Sequence, residues 1–402
     1  MAPHGKTPRF APLDPLSLDD LLEPDEIAIR ESVRGMLADR VQPYIADWFE
    51  AGTIPEPRAL MKEFGAMGLL GMHLDGYGCA GLSAVAYGLA SVELEACDSG
   101  VRSMVSVQGS LAMYAIWRWG SDEHKDEWLP RMAAGDAIGC FGLTESDHGS
   151  DPGSMRTRAR RDGDGDDWIL NGSKMWITNG SIADVAVVWA QTDEGIRGFV
   201  VPTDAPGFTA NTIKHKMSLR ASVTAELSFD NLRLPNAAAF PEVRGLKGPL
   251  SCLTEARFGI VWGCMGAARS SFETALDYSK SRIQFGVPIG SFQLTQAKLA
   301  DMCLELNKGL LLALHLGRRK DSVGLTPEQV SFAKLNNVRE ALDICRTART
   351  ILGANGISLE YPVIRHMNNL ESVLTYEGTV EMHTLVLGQA LTGLNAFAPP
   401  QP

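Results

Sequence analysis

The sequence has no excess of basic residues. Its 402 residues include 37 lysines and arginines against 48 aspartates and glutamates, which gives a formal net charge of −11 at pH 7. Binding to nucleic acid or to an anionic membrane depends on a positive surface field, so this composition disfavours both functions. A cleft for an anionic ligand is still compatible with it, because a few arginines or lysines can reverse the potential locally.

Paired cysteines are also missing. The seven cysteines are scattered and no two of them form a CxxC motif, which disfavours a disulfide scaffold or a thiolate zinc site and favours a reducing compartment. The eight histidines are dispersed and no HExxH motif occurs, so we predict no metal site.

Neither a membrane span nor a leader peptide is evident in the residue pattern. Two long uncharged stretches, residues 76–92 and 382–402, are broken by glycine, polar residues or proline, whereas a span needs about 20 predominantly apolar residues. The first 26 residues contain six acidic residues, while secretory leaders have an apolar core and mitochondrial leaders are poor in acids. We therefore expect a cytoplasmic protein.

The glycine-rich phosphate motifs are absent as well. No GxGxxG follows a predicted strand, and neither GxxxxGK[ST] nor GxSxG occurs. A Rossmann site, a P-loop and an α/β-hydrolase nucleophile are therefore disfavoured.

The residues that are present divide the chain into three zones. Up to about residue 136, and again from about residue 245, apolar residues recur at three- and four-residue steps, which predicts amphipathic helices. Between these zones, short β-rich runs are separated by turn residues, and this spacing predicts a small antiparallel barrel or sandwich. Thr326, followed by Pro327 and Gln329, predicts a capped helix that runs to about Leu352.

Three short segments are richer in glycine, hydroxyl and aromatic residues than packing requires. Residues 140–151 leave a strand and enter a loop, which is either a capped loop or a ligand site. In residues 174–180, Trp176 is either core filling or a flat wall for a planar cofactor. Glu377, at the entry to a helix, is either a solvated N-terminal acid or a general base.

These segments carry a resemblance to one known family. The matching runs are FGLTESDHGSD (141–151), NGSKMWITNG (171–180), KMSLRAS (216–222), SRIQFGVPIGSFQ (281–293), ILGANGIS (351–358) and TYEGTVEMH (375–383). On these motifs the chain resembles the acyl-CoA dehydrogenases from near Asp19 to Phe397, about nine-tenths of its length.

The resemblance implies an α+β fold of three domains. These are an N-terminal helical domain (1–136), a middle antiparallel β-barrel domain (137–244) and a C-terminal four-helix bundle (245–402). The family binds FAD without a Rossmann fold, which agrees with the missing glycine motif. Members form homotetramers and pass electrons to an electron-transferring flavoprotein, so we expect the same assembly and the same electron acceptor here.

The resemblance also implies the cofactor contacts and the catalytic base. The residues expected to contact FAD are Phe141, Leu143, Thr144, Gly149, Ser150, Trp176, Ile177, Thr178, Arg282, Phe285, Gln293, Thr350, Gly353, Ala354, Thr379, Glu381 and Phe397, with Arg282, Phe285 and Gln293 supplied by a neighbouring subunit. Glu377 matches the base that removes the α-proton of an acyl-CoA thioester while a hydride passes to flavin N5. Some relatives carry the base on an earlier helix, where this chain has Ala256.

The substrate positions resemble those of family members that oxidise and decarboxylate glutaryl-CoA to crotonyl-CoA. Residues 76–81, 95–103 and 365–371 carry this closer resemblance. The substrate-binding residues it implies are Glu95, Arg102, Ser103, Ser106, Ser150, Leu250, Arg257, Tyr376 and Gly378.

Arg102 is the residue that would select a diacid. Its guanidinium offers a bidentate fork for the distal carboxylate, and the alternative is an internal ion pair with Glu95 or Asp98. Val101 stands where these members tend to carry an aromatic residue, which widens the pocket. Other functions stay open: short- or branched-chain acyl-CoA dehydrogenation without decarboxylation, a flavin oxidase, or a non-catalytic acyl-CoA-binding flavoprotein.

Overall fold

The N-terminal part of the protein is helical. The computed structural model describes residues 10–163 and 165–397. The first helices are α1 (Pro24–Arg40), α2 (Ile45–Ala51), α3 (Pro57–Ala66), α4 (Ala84–Cys97), α5 (Ser99–Ser106), α6 (Tyr114–Trp119) and α7 (Asp122–Ala133), with a π-helical turn, Val107–Met113, between α5 and α6. Asp98 is extended between α4 and α5 and caps α5 by accepting the amide of Gly100. This sharp turn brings Glu95 on α4 next to Arg102 on α5.

The middle of the chain forms a seven-stranded mixed sheet. Its strands are β1 (Gly139–Gly142), β2 (Arg158–Arg161), β3 (Trp168–Thr178), β4 (Val185–Thr192), β5 (Gly195–Pro202), β6 (Phe208–Thr212) and β7 (Thr224–Leu234). The order is β1-β4-β2-β3-β7-β6, and β5 pairs with β4. β1 and β2 both run parallel to β4, so the expectation of a purely antiparallel sheet was wrong. No pair among the described strands joins β1 to β6, and closure into a barrel stays a prediction.

The C-terminal part is again helical. It contains α8 (Lys247–Ser281), a short hairpin of β8 (Ile283–Gln284) and β9 (Val287–Pro288), α9 (Gln293–Val323), α10 (Pro327–Leu352), α11 (Val363–Thr375) and α12 (Val380–Thr392). Thr326 and Gln329 form the predicted capping box, and α10 ends at Leu352 as the sequence predicted. The expected order of a helical, a β and a second helical region is thus confirmed. The expected domain limits, after residues 136 and 244, fall between α7 and β1 and between β7 and α8, and they stay predictions.

Close packing of α4 against α8 joins the two helical regions. One hydrophobic core runs from α1 through α4 to α8, a second fills the C-terminal helices, and a third lies within the sheet. Gly266 on α8 faces the carbonyl of Val92 on α4, where a Cβ would collide with the α4 backbone. A Cβ on Gly263 would collide with the carboxylate of Glu95. Glycine at these two positions therefore lets α8 approach the Glu95–Arg102 pair.

Several general features of the described part of the chain bear on function. Its helices include none that is both long and apolar enough to cross a membrane. Within residues 10–163 and 165–397, no group of three or more His, Cys, Asp or Glu residues could hold a metal ion. All seven cysteines are unpaired thiols.

Candidate active site

Glu377 lies in the turn between α11 and α12. Its φ of 52° is in the left-handed region, which is uncommon for a residue with a side chain. Its Oε2 atom is buried and has no hydrogen-bond partner among the described residues. Burial raises the pKa of this carboxyl group, while the positive charges of Arg102, Lys334 and Arg257 oppose the rise. A carboxylate in such a place is a stronger base than one in water.

A half-buried arginine and a buried lysine hold the backbone of this turn. Arg257 on α8 donates from Nε to the carbonyl of Glu377 at 2.7 Å. Lys334 on α10 donates from Nζ to the carbonyls of Tyr376 and Gly378, at 2.5 and 2.7 Å. Three consecutive carbonyl groups around the glutamate are therefore hydrogen-bonded to positively charged side chains.

A second cluster adjoins this turn and consists of Glu95, Arg102 and Tyr376. Arg102 is 1% exposed and pairs through Nε with Oε2 of Glu95 at 2.7 Å. Its Nη2 donates a hydrogen bond to the hydroxyl of Tyr376, the residue that precedes Glu377 in the chain. Burial raises the pKa of Tyr376, so the phenol stays protonated at neutral pH. Oε1 of Glu95 is buried without a partner among the described residues.

The internal ion pair considered for Arg102 is partly present. Glu95 is paired with it, whereas Asp98 instead binds Arg365 at 2.6 Å and accepts from Asn369 at 2.9 Å. Arg102 Nη1 makes no hydrogen bond within the described residues. One nitrogen of the guanidinium is therefore not engaged by the protein.

The remaining substrate positions differ in exposure. Ser103 and Ser106 are buried on α5, and the Ser106 hydroxyl has no hydrogen-bond partner among the described residues. Leu250, in the first turn of α8, is 39% exposed, and Ser150 is exposed in the loop after β1. Ser103 and Ser106 share α5 with Arg102, but no described contact joins Leu250 or Ser150 to the Glu377 turn.

Trp176 is displayed on the surface of the sheet. It is 59% exposed, has φ 65°, and lies where the register of β3 against β7 shifts between Lys174 and Ile177. Such a β-bulge re-aims a side chain, here away from the core. The core-filling interpretation of Trp176 was therefore wrong, and an exposed indole in a sterically disfavoured conformation fits a wall for a planar ligand.

The loop after β1 is anchored beside Trp176. The Met175 amide donates to the Thr144 carbonyl at 2.8 Å, and Lys174 Nζ donates to the Leu143 carbonyl at 2.9 Å. The carboxylate of Glu145 accepts a hydrogen bond from Lys174 Nζ at 2.8 Å. The loop continues into exposed residues at Gly149 and nearby. Residues 143–145 of the first segment and 174–175 of the second are thus in contact, and their joint role in cofactor binding stays a prediction.

Burial limits how some of these residues could touch a cofactor. The side chains of Phe141, Leu143 and Ile177 are buried, with Ile177 inside the core of the sheet. Ile177 could therefore meet a ligand only through its backbone, whereas Thr178 is half-buried.

Most of the other expected cofactor residues lie apart from the Glu377 turn, whereas Thr379 and Glu381 follow it directly, as the cap and in the first turn of α12. Arg282, Phe285, Gln293, Thr350, Gly353, Ala354 and Glu381 are exposed, Thr379 is half-buried at the start of α12, and Phe397 is 49% exposed. Phe285, at the tip of the β8–β9 hairpin, is 95% exposed. No described contact joins the hairpin to Glu377. The exposure of Arg282, Phe285 and Gln293 fits the expectation that these three residues act on a neighbouring subunit, a role that stays a prediction.

Two residues of the site were missed in the sequence. Lys334 occupies the buried face of α10 together with Val330, Asn337 and Ala341, and this spacing was a visible signal of a lysine on a core face. His383 is buried against Gly378, and burial, helped by Lys334 and Arg257, lowers its pKa to about 3. It lies within the TYEGTVEMH run, but nothing in that run indicated that it would be buried and neutral.

The fold and the site together define a member of a known family of enzymes. Family models match three successive parts of the chain: "Acyl-CoA dehydrogenase, N-terminal domain" at residues 23–136, "middle domain" at 140–232 and "C-terminal domain" at 243–392. The chain belongs to the acyl-CoA dehydrogenase family. The human mitochondrial short-chain specific acyl-CoA dehydrogenase is 37% identical over 338 residues, which is 82% of each chain.

Two solved structures are more similar still. Glutaryl-CoA dehydrogenase from Mycobacterium smegmatis is 68% identical with a TM-score of 0.94, over 96% of this chain and 99% of that one. A glutaryl-CoA dehydrogenase of the same organism in complex with FADH2 is 64% identical with a TM-score of 0.95, over 97% and 100%. The resemblance that the motifs indicated is therefore confirmed.

Proposed function

We propose that the protein is an FAD-dependent dehydrogenase that oxidises and decarboxylates glutaryl-CoA to crotonyl-CoA and CO2. The observation that carries this proposal is the turn at Glu377, whose unpartnered carboxylate oxygen lies beside the Glu95–Arg102–Tyr376 cluster. A base is what α-proton removal from a thioester requires, and a buried guanidinium next to it can bind the distal carboxylate of a diacid. The similarity to two glutaryl-CoA dehydrogenases supports the same substrate.

The residues on the sheet fit FAD. Trp176 presents an exposed side chain, and the loop that is joined to β3 beside it through Thr144 continues to the exposed Gly149 and Ser150, which offer backbone amides and a hydroxyl. FAD supplies the acceptor for the hydride that leaves the β-carbon. The chain itself supplies the wall against which a planar ring can lie and the donors for its polar edge.

Glu377 supplies the base. Its carboxylate takes the α-proton of the thioester, and the burial that raises its pKa makes it a better proton acceptor near neutral pH. Arg257 and Lys334 fix the backbone on which it stands, so the carboxylate does not have to be oriented at the moment of reaction.

Arg102 supplies the diacid preference. No hydrogen bond among the described residues engages its Nη1, which can receive the distal carboxylate of glutaryl-CoA. A substrate without that carboxylate leaves Glu95 as the only carboxylate paired with this almost fully buried guanidinium. Glu95 stands on the other side of the guanidinium with its Oε1 unpartnered. A second carboxylate brought next to Glu95 is repelled by it, and loss of CO2 removes that repulsion.

The second candidate is a short-chain acyl-CoA dehydrogenase that does not decarboxylate. The observation that favours it is the existing Arg102–Glu95 pair, since Arg102 is then already neutralised without a diacid. In that case the guanidinium would stabilise α4 against α5 and leave an apolar acyl chain to fill the pocket.

A substrate panel separates the two candidates. Purified yellow protein is mixed without oxygen with glutaryl-CoA or butyryl-CoA, and flavin absorbance and CO2 release are recorded. We expect bleaching and CO2 with glutaryl-CoA. Bleaching by butyryl-CoA alone would favour the second candidate, and no bleaching by any thioester would favour a non-catalytic flavoprotein.

The assembly and the electron acceptor are also part of the proposal. We infer a cytoplasmic homotetramer that passes electrons to an electron-transferring flavoprotein, on the precedent of the family. The exposed hairpin with Arg282 and Phe285 supports an assembly in which one subunit completes the cofactor site of the next. Rapid reoxidation of the reduced protein by air, with hydrogen peroxide formed, would instead favour an oxidase.

A further inference from the structure

Lys334 is a buried cation with an unusual set of partners. It is 1% exposed on α10, and it forms no salt bridge within the described part of the chain. Its Nζ instead donates to the carbonyls of Tyr376 and Gly378, the residues on either side of Glu377. This buried ammonium has no carboxylate in direct contact, and only the charge of nearby Glu377 offsets part of its desolvation, so its placement here calls for a specific reason.

The turn that Lys334 grips adopts a conformation that its sequence resists. Glu377 has φ 52° and Gly378 has φ 97°, and the left-handed region is sterically disfavoured for a glutamate. Such a conformation persists only where surrounding contacts fix it. The carbonyls of residues 376–378 accept two hydrogen bonds from Lys334 and one from Arg257, while Arg102 and the Ser372 carbonyl hold the hydroxyl and the amide of Tyr376.

We propose that Lys334 is the positioning residue for the base: its ammonium, by bridging the carbonyls before and after Glu377, holds the glutamate in the left-handed conformation that sets the direction of its carboxylate. The charge of Lys334 also favours the ionised form of Glu377. This inference rests on the proposed function, because it assigns Lys334 a part in proton removal. It assigns no contact between Lys334 and the substrate.

The charge of Lys334 acts within a crowded electrostatic setting. The charged and titratable groups that face Glu377 are Arg102 of α5, Arg257 of α8, Lys334 of α10, Tyr376 beside it, His383 of α12 and, through Arg102, Glu95 of α4. Burial lowers the pKa of Lys334 to about 7, so its charge is present on the acid side of neutrality. In that range it opposes protonation of Glu377, and loss of the charge makes the carboxylate easier to protonate.

The experiment measures the rate of anaerobic flavin reduction by glutaryl-CoA across pH in three variants. Lys334→Met removes donor and charge, and Lys334→Gln removes the charge but keeps two N–H groups for the two carbonyls. Asn337→Ala is the matched control, because Asn337 lies one turn along the same face and also donates to two carbonyls, those of Val261 and Gly309.

We expect distinct results from each variant. Lys334→Met lowers the plateau rate by about 100-fold, the scale of a misplaced catalytic group, and shifts the acid limb of the profile to higher pH. Lys334→Gln recovers most of the plateau rate but keeps the shifted limb. Asn337→Ala lowers the melting temperature and leaves the limb where it is in the unaltered protein.

The opposing outcomes are equally definite. An unchanged rate and limb in Lys334→Met, or the same change in Asn337→Ala, would contradict a positioning role. If Lys334→Met does not fold, the acid limbs of the other two variants are compared. A limb shifted to higher pH in Lys334→Gln but not in Asn337→Ala supports the positioning role, and equal limbs contradict it. Failure of the unaltered protein to reduce its flavin with any acyl-CoA would contradict the proposed function, and this result is separate from the comparison among variants.

Discussion

At the scale of single residues, the site depends on charged groups that burial makes sensitive to their partners. Arg102 and Glu95 are each almost fully buried and pair at 2.7 Å. Removal of one member of a buried pair leaves the other charge unpaired, which costs about 3–5 kcal/mol, whereas neutralising both is often tolerated. The effect of Arg102 on stability can therefore be measured separately from its effect on substrate choice, by comparing a single with a double variant of this pair.

The first prediction concerns Arg102. Arg102→Met is expected to lower the free energy of unfolding by about 3–5 kcal/mol and to abolish the preference for glutaryl-CoA over butyryl-CoA. The double variant with Glu95→Gln is expected to regain most of the stability but not the preference. Denaturant unfolding and kcat/KM for both thioesters provide the measurements, and a retained glutaryl-CoA preference in either variant would remove Arg102 from substrate recognition.

A second prediction at this scale concerns Trp176. Asn tolerates the left-handed region better than Trp, so Trp176→Asn is expected to leave the melting temperature of the FAD-free protein unchanged or higher. Loss of the ring is expected to weaken FAD binding about tenfold, the value of one aromatic stacking contact. Trp176→Phe is the control that keeps a ring, and equal FAD affinity in Trp176→Asn would contradict the wall assigned to this residue.

The sequence identified some residues of the site and not others. Glu377 and Arg102 were identified because their motifs resemble a family, and in the structure the Glu377 turn adjoins the cluster that contains Arg102. Lys334 was missed although its spacing on α10 marked a core face, since sequence alone does not show which backbone groups a buried lysine will meet. The conformation of Trp176 was not predictable, because it follows from a register shift between two distant strands.

At the scale of elements, the loop after β1 is tied to β3 by one buried carboxylate. Glu145 accepts hydrogen bonds from the amides of Arg156 and Thr157, at 2.7 and 2.9 Å, and from Lys174 at 2.8 Å. Burial alone would raise the pKa of Glu145, but these hydrogen bonds outweigh it and lower the pKa to about 2. The ionised carboxylate therefore holds the loop in place.

This arrangement predicts an acid-sensitive loop. The pKa of a glutamate in an unfolded chain is about 4.3, which is above the pKa of Glu145 in the folded protein. As the pH falls, the unfolded chain therefore takes up the proton before the folded chain does. The stabilisation by Glu145 is therefore complete above about pH 5 and is lost progressively toward pH 2. The urea midpoint of the unaltered protein should exceed that of Glu145→Gln at pH 6, with the gap closing as the pH falls. A gap that stays constant with pH would contradict the account.

Helices were easier to predict than the sheet. The cap at Thr326 and the end of α10 at Leu352 depend on neighbouring residues, and both were confirmed. The parallel pairing of β1 with β4 joins residues more than 40 positions apart, so no local pattern encodes it. An alternation of polar and apolar residues shows which face of a strand is buried but not which strand lies beside it.

At the scale of the whole molecule, the β8–β9 hairpin and the start of α9 present apolar side chains to solvent. These are Ile283 (51% exposed), Phe285 (95%), Val287 (39%), Phe292 (38%) and Leu294 (82%). A contiguous exposed apolar patch of this kind is typical of a protein interface. It adjoins Arg282 and Gln293, which the family resemblance assigns to the cofactor of a neighbouring subunit.

The resulting prediction links assembly to cofactor retention. The unaltered protein should elute as a tetramer by size-exclusion chromatography with light scattering. Phe285→Ser combined with Leu294→Ser should reduce the assembly and release FAD without unfolding the helices. Val323→Ser, at the opposite end of α9 and 70% exposed, is the control expected to change neither property. A double variant that stays tetrameric with full FAD would place the interface elsewhere.

The central claim is that Glu377 removes the α-proton of an acyl-CoA thioester, and one variant tests it directly. Glu377→Gln keeps the size of the side chain but cannot accept the proton. Mixed with glutaryl-CoA in the absence of oxygen, it should still bind FAD and perturb the flavin spectrum on substrate binding. Its flavin reduction should be slower than that of the unaltered protein by about 10²–10⁴-fold. Reduction at the unaltered rate would contradict the assignment of the base and, with it, the account of the site.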